Sequence, residues 1–335
     1  MQPPADHPVI PPAKVGLLLV NLGTPDAPDT ASVRRYLAEF LSDPRVIEIP
    51  KLAWWPILHG IILRTRPKKS AHAYAQVWGE DGSPLAAITK RQARGLQERL
   101  GEGVIVDYAM RYGSPGIAAT LGKMIAAGCT RILAAPLYPQ YSAATTASVH
   151  DALFQALAKR RWQPALRTLP AYHDDPLYID ALAADLGRQI AALDFTPDRL
   201  LLSFHGMPER TLHLGDPYHC HCRKTARLLA AKLSLPVDTS FQSRFGRAKW
   251  LDPATDTVLE ALPGQGCVKL AIAAPGFSAD CLETIEELGL RGAEQFLGAG
   301  GTHFARLDCL NDGAAGMEML ESIARRELAG WWPAP

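Results

Sequence analysis

The chain has 335 residues, of which 47% are hydrophobic and 21% charged, and its formal net charge is +1 at pH 7. This length suggests about two domains of roughly 150 residues each, and the balanced charge gives no basis for a broad attraction to nucleic acid. The chain begins without the basic and then apolar segment of a signal peptide, so a cytoplasmic location is expected. The scattered cysteines indicate free thiols rather than a disulfide framework.

Short runs rich in Val, Ile, Leu and Ala alternate along the chain with longer helical patterns. Strands are predicted at residues 15–21, 104–110, 132–136, 200–204, 239–243, 268–274 and 302–307. Helices are predicted at residues 30–41, 86–100, 116–127, 148–159, 176–193, 222–233, 254–262, 282–297 and 313–328. This alternation is typical of βαβ units, and it predicts an α/β fold with a parallel sheet flanked by helices on both faces.

Two weak internal similarities suggest a duplicated fold. Residues 17–25 resemble residues 200–208, and residues 134–136 resemble residues 273–275. The first half is longer between its two segments, which places an insertion near residues 45–90, around Trp54 and Trp55. Large apolar residues beside a cleft could form a lip for a flat hydrophobic ligand. A helix that packs on its own domain, and chance similarity between apolar strands, are the alternatives.

The apolar stretch at residues 52–63 lies within this insertion. It is interrupted by Pro56, His59 and Gly60 and is too short to cross a bilayer. Contact with a membrane surface through Trp54 and Trp55 stays open.

Chemically capable side chains follow two of the predicted strands. His205 comes directly after the apolar run 200–204, and an acidic stretch with Asp280, Glu283 and Glu287 follows the run 270–275. Open α/β sheets place their ligands at the carboxyl ends of their strands. An imidazole and carboxylates together suit proton transfer and a divalent cation.

Each of these features also has a purely structural interpretation. Asp280, Glu283 and Glu287 would share one helix face, where like charges need a cation, a proton or water between them. A capping box, with Asp280 at the N-cap and Glu283 reaching back, explains the same spacing. A histidine after a strand is often structural. The run from His219 to Cys222 has no second Cys/His pair at zinc-finger distance, so a structural metal there is the less favoured interpretation.

Six motifs make a family resemblance specific. Between about residues 14 and 311 the chain carries, in the order seen in the ferrochelatase family, the segments NLGTP (21–25), LYPQYS (137–142), SFHGMP (203–208), GDPY (215–218), FQSRFG (241–246) and PGFSADCLET (275–284). A nucleotide-binding oxidoreductase is the weaker interpretation, because Gly23-Thr24-Pro25 stands where a Gly-x-Gly-x-x-Gly turn would be.

The resemblance implies a fold and a reaction. It implies two Rossmann-like domains, each a parallel sheet flanked by helices, facing a central cleft. It also implies an enzyme, a lyase that inserts Fe²⁺ into protoporphyrin IX to give protohaem, the last step of haem biosynthesis. We expect an N-terminal domain at residues 1–160 with a lip insertion at about 45–90, and a C-terminal domain at residues 161–310. A C-terminal helix and tail at residues 311–335 would pack back on the first domain.

The resemblance also assigns residues. His205 matches the family's active-site histidine and Glu283 the carboxylate opposite it, while Glu287 and Asp280 match an acidic line that leads to the metal. The expected porphyrin contacts, at or near the macrocycle or its propionates, are Leu22, Arg64, Tyr74, Ser83, Arg111 and Tyr112.

Some alternatives remain at this point. The tail after Asn311 has no cysteine, so no iron–sulfur cluster is expected, and Fe²⁺ enters only as a substrate. The chain could instead act on coproporphyrin, insert cobalt, or carry haem or iron without turnover. A peripheral position at the inner face of the membrane, reached through the Trp54-Trp55 lip, is compatible with the cytoplasmic location.

Overall fold

Two four-stranded parallel sheets form the centre of the molecule, as the alternating sequence pattern predicted. The computed structural model describes Asp6, residues 13–246 and residues 248–332. The first sheet has the order β2-β1-β3-β4 and the second the order β6-β5-β7-β8. The strands are β1 (Lys14–Gly23), β2 (Val104–Tyr112), β3 (Cys129–Pro136), β4 (Ala165–Thr168), β5 (Arg199–His205), β6 (Val237–Gln242), β7 (Lys269–Ala273) and β8 (His303–Arg306).

The internal similarity of the sequence corresponds to a structural repeat. β1 and β5 each occupy the second position of their sheet, and β3 and β7 each occupy the third. The similar segments therefore end at equivalent edges of the two sheets, and the prediction of a duplicated fold is confirmed. The first sheet also includes β4, which pairs with β3. The predicted boundary at residue 160 is thus too early, because the first sheet continues to Thr168.

Helices flank both sheets. They are α1 (Thr30–Phe40), α2 (Lys51–Ile57), α3 (Leu63–Val77), α4 (Pro84–Leu100), α5 (Ile117–Ala126), α6 (Ser148–Ala158), α7 (Pro176–Ala191), α8 (Glu209–His213), α9 (Tyr218–Ala230), α10 (Thr255–Ala261), α11 (Gly292–Gly298) and α12 (Ala314–Glu327). Wider π-helical turns occur at Leu58–Ile62, Ala143–Ala147 and Glu283–Arg291. The sequence patterns predicted neither these turns nor α8. The predicted helices also omit α2 and α3, although a helix in the insertion was one of the alternatives considered.

The two sheets share one hydrophobic core. It contains Leu17 and Leu19 of β1, Leu200 and Leu202 of β5, and Leu320 of α12. α12 packs against both α4 and α7. The C-terminal helix therefore connects α4 of the first domain with α7.

The predicted insertion contains a continuous helical segment, the lip helix (residues 51–77), formed by α2, a π turn and α3. One side packs on α1, where Leu58 and Leu63 are buried in a cluster with Tyr74. The other side exposes Leu52 and Trp55, whose exposed fractions are 94% and 56%. The segment packs on its own domain and still presents apolar side chains outward, so its role as a lip stays a prediction.

Candidate active site

His205 is the last residue of β5 and stands at the carboxyl edge of the second sheet. Its Nδ1 lies 2.8 Å from the carbonyl oxygen of Gly206. Because a carbonyl only accepts, this contact places the proton of the neutral ring on Nδ1 and leaves the Nε2 lone pair for chemistry. The Tyr218 hydroxyl donates to the His205 carbonyl oxygen at 3.0 Å and fixes the backbone. His205 is therefore oriented with one basic nitrogen available.

Gln242 connects His205 to the acidic helix. It is the register partner of His205 on β6, and its Nε2 donates to the backbone carbonyl of Glu283 at 3.3 Å. The residue after His205 has to be a glycine, because a Cβ at position 206 would lie only 2.5 Å from the Gln242 carbonyl oxygen. The two strand ends and the start of the π helix are thus packed together through Gln242, a residue that sequence reasoning had not singled out.

Glu287 lies beside the same edge. Its Oε2 accepts a hydrogen bond of 2.6 Å from the hydroxyl of Ser243, which has a φ of 64°, unusual for a residue other than glycine. Burial raises the pKa of Glu287. The Ser243 hydrogen bond and the charge of His205 oppose that rise, while the charge of Glu283 adds to it. His205 and Glu283 are therefore close enough to Glu287 to influence its charge.

Asp280 requires a correction. It is 4% exposed, and its Oδ1 accepts from the Thr284 hydroxyl at 2.7 Å and from Arg306 at 2.8 Å. Its Oδ2 accepts from the side-chain amide of Asn311 at 2.7 Å and from the backbone N–H of Cys309 at 3.3 Å. All its acceptor positions are used inside the protein, so Asp280 anchors the loop before the π helix and has no lone pair for a metal.

The capping-box alternative is also corrected. The backbone N–H of Asp280 donates to the Asn311 side-chain oxygen at 2.7 Å rather than to Glu283, and the Thr284 hydroxyl accepts from the N–H of Cys281 at 3.0 Å. The Glu283 carboxylate lies beside the thiol of Cys281, whose pKa is raised by burial and next by the charge of Glu283.

The lip helix approaches Glu283. Burial, and next the negative charge of Glu283, raises the pKa of the Tyr74 phenol well above its ordinary value. Leu22 is half-buried and packs on the hydrophobic cluster that contains Tyr74. It also packs on a second, small cluster that contains Ala279 and Cys281, two residues that precede Glu283 in the chain. Leu22 and Tyr74 thus lie near the carboxylate predicted to face His205.

Arg111 and Tyr112 end β2, but they are held inside the first domain. Arg111 pairs with the buried carboxylate of Asp43 and donates to the Ser148 hydroxyl at 2.6 Å. Tyr112 is fully buried, and its hydroxyl donates to the same Asp43 at 2.8 Å. The prediction that Tyr112 contacts the macrocycle directly is therefore wrong, because its ring packs edge-on against that of Phe40, with ring centroids 5.1 Å apart. The positive charge of Arg111 is already neutralised by Asp43.

The remaining predicted porphyrin contacts differ in exposure. Ser83 is 4% exposed and stands immediately before α4. Arg64, at the start of α3, is exposed and has no ion-pair partner among the residues that the structure describes. Arg64 is therefore free to meet an anion, unlike Arg111.

The histidine and cysteine run at 219–222 forms part of α9. The His221 ring stacks on His173 with centroids 3.5 Å apart, and its Nδ1 accepts from the N–H of Tyr141 at 3.2 Å. Cys222 is buried. Within residues 13–246 and 248–332, no group of three or more His, Cys, Asp or Glu side chains is arranged to hold a metal ion. The four predicted metal residues are not preassembled, since Asp280 turns into the core.

Comparison with known proteins decides the family. The sequence model of the family described as Ferrochelatase matches residues 14–328. The chain belongs to the ferrochelatase family. It is 53% identical over 333 residues to the ferrochelatase of Rhizobium meliloti (strain 1021), which covers 97% of this chain and 98% of that relative. It is 52% identical over 331 residues to the ferrochelatase of Aromatoleum aromaticum (strain DSM 19018 / LMG 30748 / EbN1), covering 97% and 90%.

Solved structures support the same fold. SirB from Bacillus subtilis with Fe3+ aligns with a TM-score of 0.57 at 13% identity, covering 95% of this chain and 97% of that one. DR2241 from Deinococcus radiodurans, described as similar to chelatases, aligns with a TM-score of 0.52 at 14% identity, covering 93% and 55%. At this identity the likeness concerns the fold alone, and it agrees with the two-domain chelatase-like architecture expected for a ferrochelatase.

Proposed function

We propose that this chain inserts Fe²⁺ into protoporphyrin IX to give protohaem, as a member of the ferrochelatase family, with His205 and Glu283 handling the protons and the metal. The observation that supports these roles best is the junction at Gln242. There the strand that ends in His205 meets the first turn of the helix that carries Glu283. The junction lies at the carboxyl edge of the sheet, where α/β proteins bind ligands.

Proton removal is the first chemical requirement. A free porphyrin has two inner N–H protons, and a metal enters only after the ring nitrogens tilt out of the plane and lose them. His205 suits the role of general base, because its Nδ1 is occupied by the Gly206 carbonyl and its Nε2 is free. Glu283 then accepts the second proton or passes the metal forward.

Metal transfer requires ligands that bind and release Fe²⁺. Imidazole nitrogen and carboxylate oxygen do this more readily than thiolates. Glu287 extends the acidic surface outward from Glu283 along the π helix. Cys222 is fully buried, and burial raises the pKa of its thiol well above its ordinary value, so it is a poor donor for a metal in transit.

The porphyrin is gripped on the lip side. Leu22 packs between the Tyr74 cluster of the lip and the start of α4, which Ser83 precedes. Arg64 supplies an unpaired positive charge for a propionate. A cleft that fits a bent ring better than a flat one lowers the barrier to metalation. Arg111 acts here through Asp43, by holding the end of β2 in place.

The test is an anaerobic steady-state assay with protoporphyrin and Fe²⁺. His205→Ala is expected to reduce kcat by about a hundredfold or more while porphyrin binding persists. The matched control is His303→Ala, which removes an exposed histidine at the opposite, amino edge of the same sheet. Turnover retained by His205→Ala would refute the base assignment.

Glu283→Gln is paired with Glu294→Gln, a change of an exposed glutamate on α11. Only the first is expected to lose activity. Repeating the assay with coproporphyrin and with Co²⁺ separates this reaction from the neighbouring chelatase activities. A product yield that stops at one equivalent per protein would indicate a carrier.

We further propose that the exposed side of the lip helix contacts an anionic membrane surface. Leu52, Trp55 and Ile61 are 94%, 56% and 58% exposed. The same helix exposes basic side chains, which are Lys51, Arg64, Arg66, Lys68 and Lys69. Apolar side chains flanked by cations suit anionic headgroups. Within the described ranges, no helix has both the length and the apolar character needed to cross a bilayer.

Cosedimentation with vesicles tests this contact. The wild-type chain is expected to bind phosphatidylcholine vesicles only when they contain phosphatidylglycerol, and Trp55→Ala is expected to weaken binding by about tenfold. Trp162→Ala, at a tryptophan that is 52% exposed outside the lip, is the control. Unchanged vesicle binding by Trp55→Ala, with or without a loss of porphyrin affinity, would refute the membrane contact.

A further inference from the structure

A polar cavity of about 140 Å³ lies beside Glu287. It is bounded by the end of β6, by α10 and by the π helix, and its wall includes Ser243, Arg244, Asp256, Glu287 and Arg291. A cavity of this size holds a cation together with several waters. Glu287 therefore has a water-accessible face as well as a position close to His205.

Arg291 is the last residue of the π helix and the cation of this cavity that pairs with the acidic helix. Its Nε lies 2.9 Å from a carboxylate oxygen of Glu286, and its Nη2 lies 4.0 Å from Oε2 of Glu287. The same Oε2 accepts the hydrogen bond from Ser243. The Arg291 side chain is 55% exposed, whereas those of Glu286 and Glu287 are 12% and 21% exposed. An exposed positive charge thus lies against two sheltered carboxylates.

An arginine at this place has two opposite effects on a metal. It holds the two carboxylates in one geometry when no metal is present. It also repels a divalent cation that approaches Glu287, because two positive charges within about 5 Å interact unfavourably even at high dielectric. A metal can bind Glu287 from the cavity only after the guanidinium swings outward. This displacement breaks only the 4.0 Å contact with Glu287, which is too long for a hydrogen bond. The bidentate pair with Glu286, at 2.9 Å for both nitrogens, is kept.

We propose that Arg291 is a positioning residue for metal delivery, which orders Glu286 and Glu287 between turnovers and weakens the hold of Glu287 on the entering divalent cation. The proposal rests on the proposed metal role of Glu287. Arg291 would set the iron concentration that the enzyme needs and keep the metal from remaining at Glu287 instead of moving on to the porphyrin.

The main test is Arg291→Gln in the anaerobic assay. Its KM for Fe²⁺ is expected to fall about threefold to tenfold, with an unchanged KM for porphyrin and an equal or lower kcat. Arg291→Lys, which keeps the charge, is expected to restore a wild-type KM for Fe²⁺. Arg94→Gln, which removes an exposed ion pair with Glu98 on α4, is the control for a general effect of losing a surface arginine.

A binding measurement separates this role from a merely structural one. Zn²⁺ titrated calorimetrically into the porphyrin-free protein is expected to bind Arg291→Gln more tightly than wild type by a similar factor, and the gain is expected to vanish in a Glu287→Gln background. Equal Zn²⁺ affinity and equal iron KM in wild type and Arg291→Gln would overturn the proposal, as would a gain that persists without Glu287. If Glu287→Gln alone leaves iron dependence unchanged, the failure lies in the proposed metal role of Glu287. If it raises the iron KM while Arg291→Gln has no effect, only the role of Arg291 fails.

Discussion

Asp280→Asn separates an anchoring role of this residue from a metal role. The substitution keeps the size of the side chain but removes its charge and replaces one acceptor oxygen by an NH₂ group. In the folded chain each Asp280 oxygen faces two donors, and the guanidinium of Arg306 is one of the two at Oδ1. Whichever way the new amide is turned, its NH₂ group meets two donors, and Arg306 loses its buried negative charge.

The expected cost is set by burial. The Asp280 side chain is 6% exposed and that of Arg306 is 21% exposed. Breaking a buried ion pair by removing one partner costs about 3–5 kcal/mol. One oxygen remains to accept hydrogen bonds and Arg306 keeps its contact with Asp308, so we expect about 3 kcal/mol.

Urea unfolding measures this loss, and the matched control is Asp308→Asn. Asp308 pairs with the same arginine but is 59% exposed, so its substitution is expected to cost at most about 1 kcal/mol. The KM for Fe²⁺ is expected to stay unchanged in Asp280→Asn, because neither Asp280 oxygen is free to bind metal. A variant of wild-type stability whose iron KM rises severalfold would show that the structural assignment is wrong.

Three further predictions concern stability. Burial, and next the charge of His221 stacked on it, lowers the pKa of His173 from 6.5 to about 4. The unfolded chain therefore binds more protons than the folded one between these values, and His173 is expected to contribute about 2 kcal/mol to the stability lost in urea unfolding when the pH falls from 7 to 5. Burial also lowers the pKa of other histidines, so a His173→Asn variant is expected to reduce this loss by about that amount, and an unchanged loss would contradict the assignment. Tyr112→Phe removes a buried hydrogen bond to Asp43 and is expected to lower the free energy of unfolding by about 1–2 kcal/mol. The KM for porphyrin is expected to stay unchanged, and a raised KM would indicate that Tyr112 does contact the porphyrin. Gly23→Ala would place a Cβ 1.8 Å from the Tyr112 carbonyl oxygen, at a residue whose φ is 111°. The substitution is expected to lower the free energy of unfolding by more than about 2 kcal/mol, measured by thermal unfolding. A wild-type melting temperature would contradict this close approach.

Much of the architecture could be predicted because its signals are local. All the predicted strands are present, since a buried parallel strand needs a continuous apolar run, as in residues 200–204. β4 was missed for the same reason: it has only four residues, none of them fully buried, and so carries no such run. The large apolar residues of the lip helix were evident from the sequence. Its packing could not be predicted, because that packing depends on contacts with α1, a separate helix.

In the candidate site too, some features could be predicted from local sequence patterns and others could not. His205 and Glu283 follow apolar runs, and parallel topology brings the ends of such runs to one edge, so their proximity was readable. Gln242 and Ser243 stood in a recognised motif, but nothing in their spacing indicated that one contacts the backbone of Glu283 and the other the carboxylate of Glu287.

The order of residues along this chain was sufficient for the fold class and the repeat, because strand ends and helix faces follow from short-range patterns of apolar side chains. The pair of groups proposed to act on the porphyrin came from the motifs that carry the family resemblance. Only the folded structure decided which polar groups are used up internally. Asp280 is neutralised by Arg306, 26 residues away, and Tyr112 is held by Asp43, 69 residues away. A buried polar group must find a partner wherever the fold provides one, and no local pattern states where that partner lies.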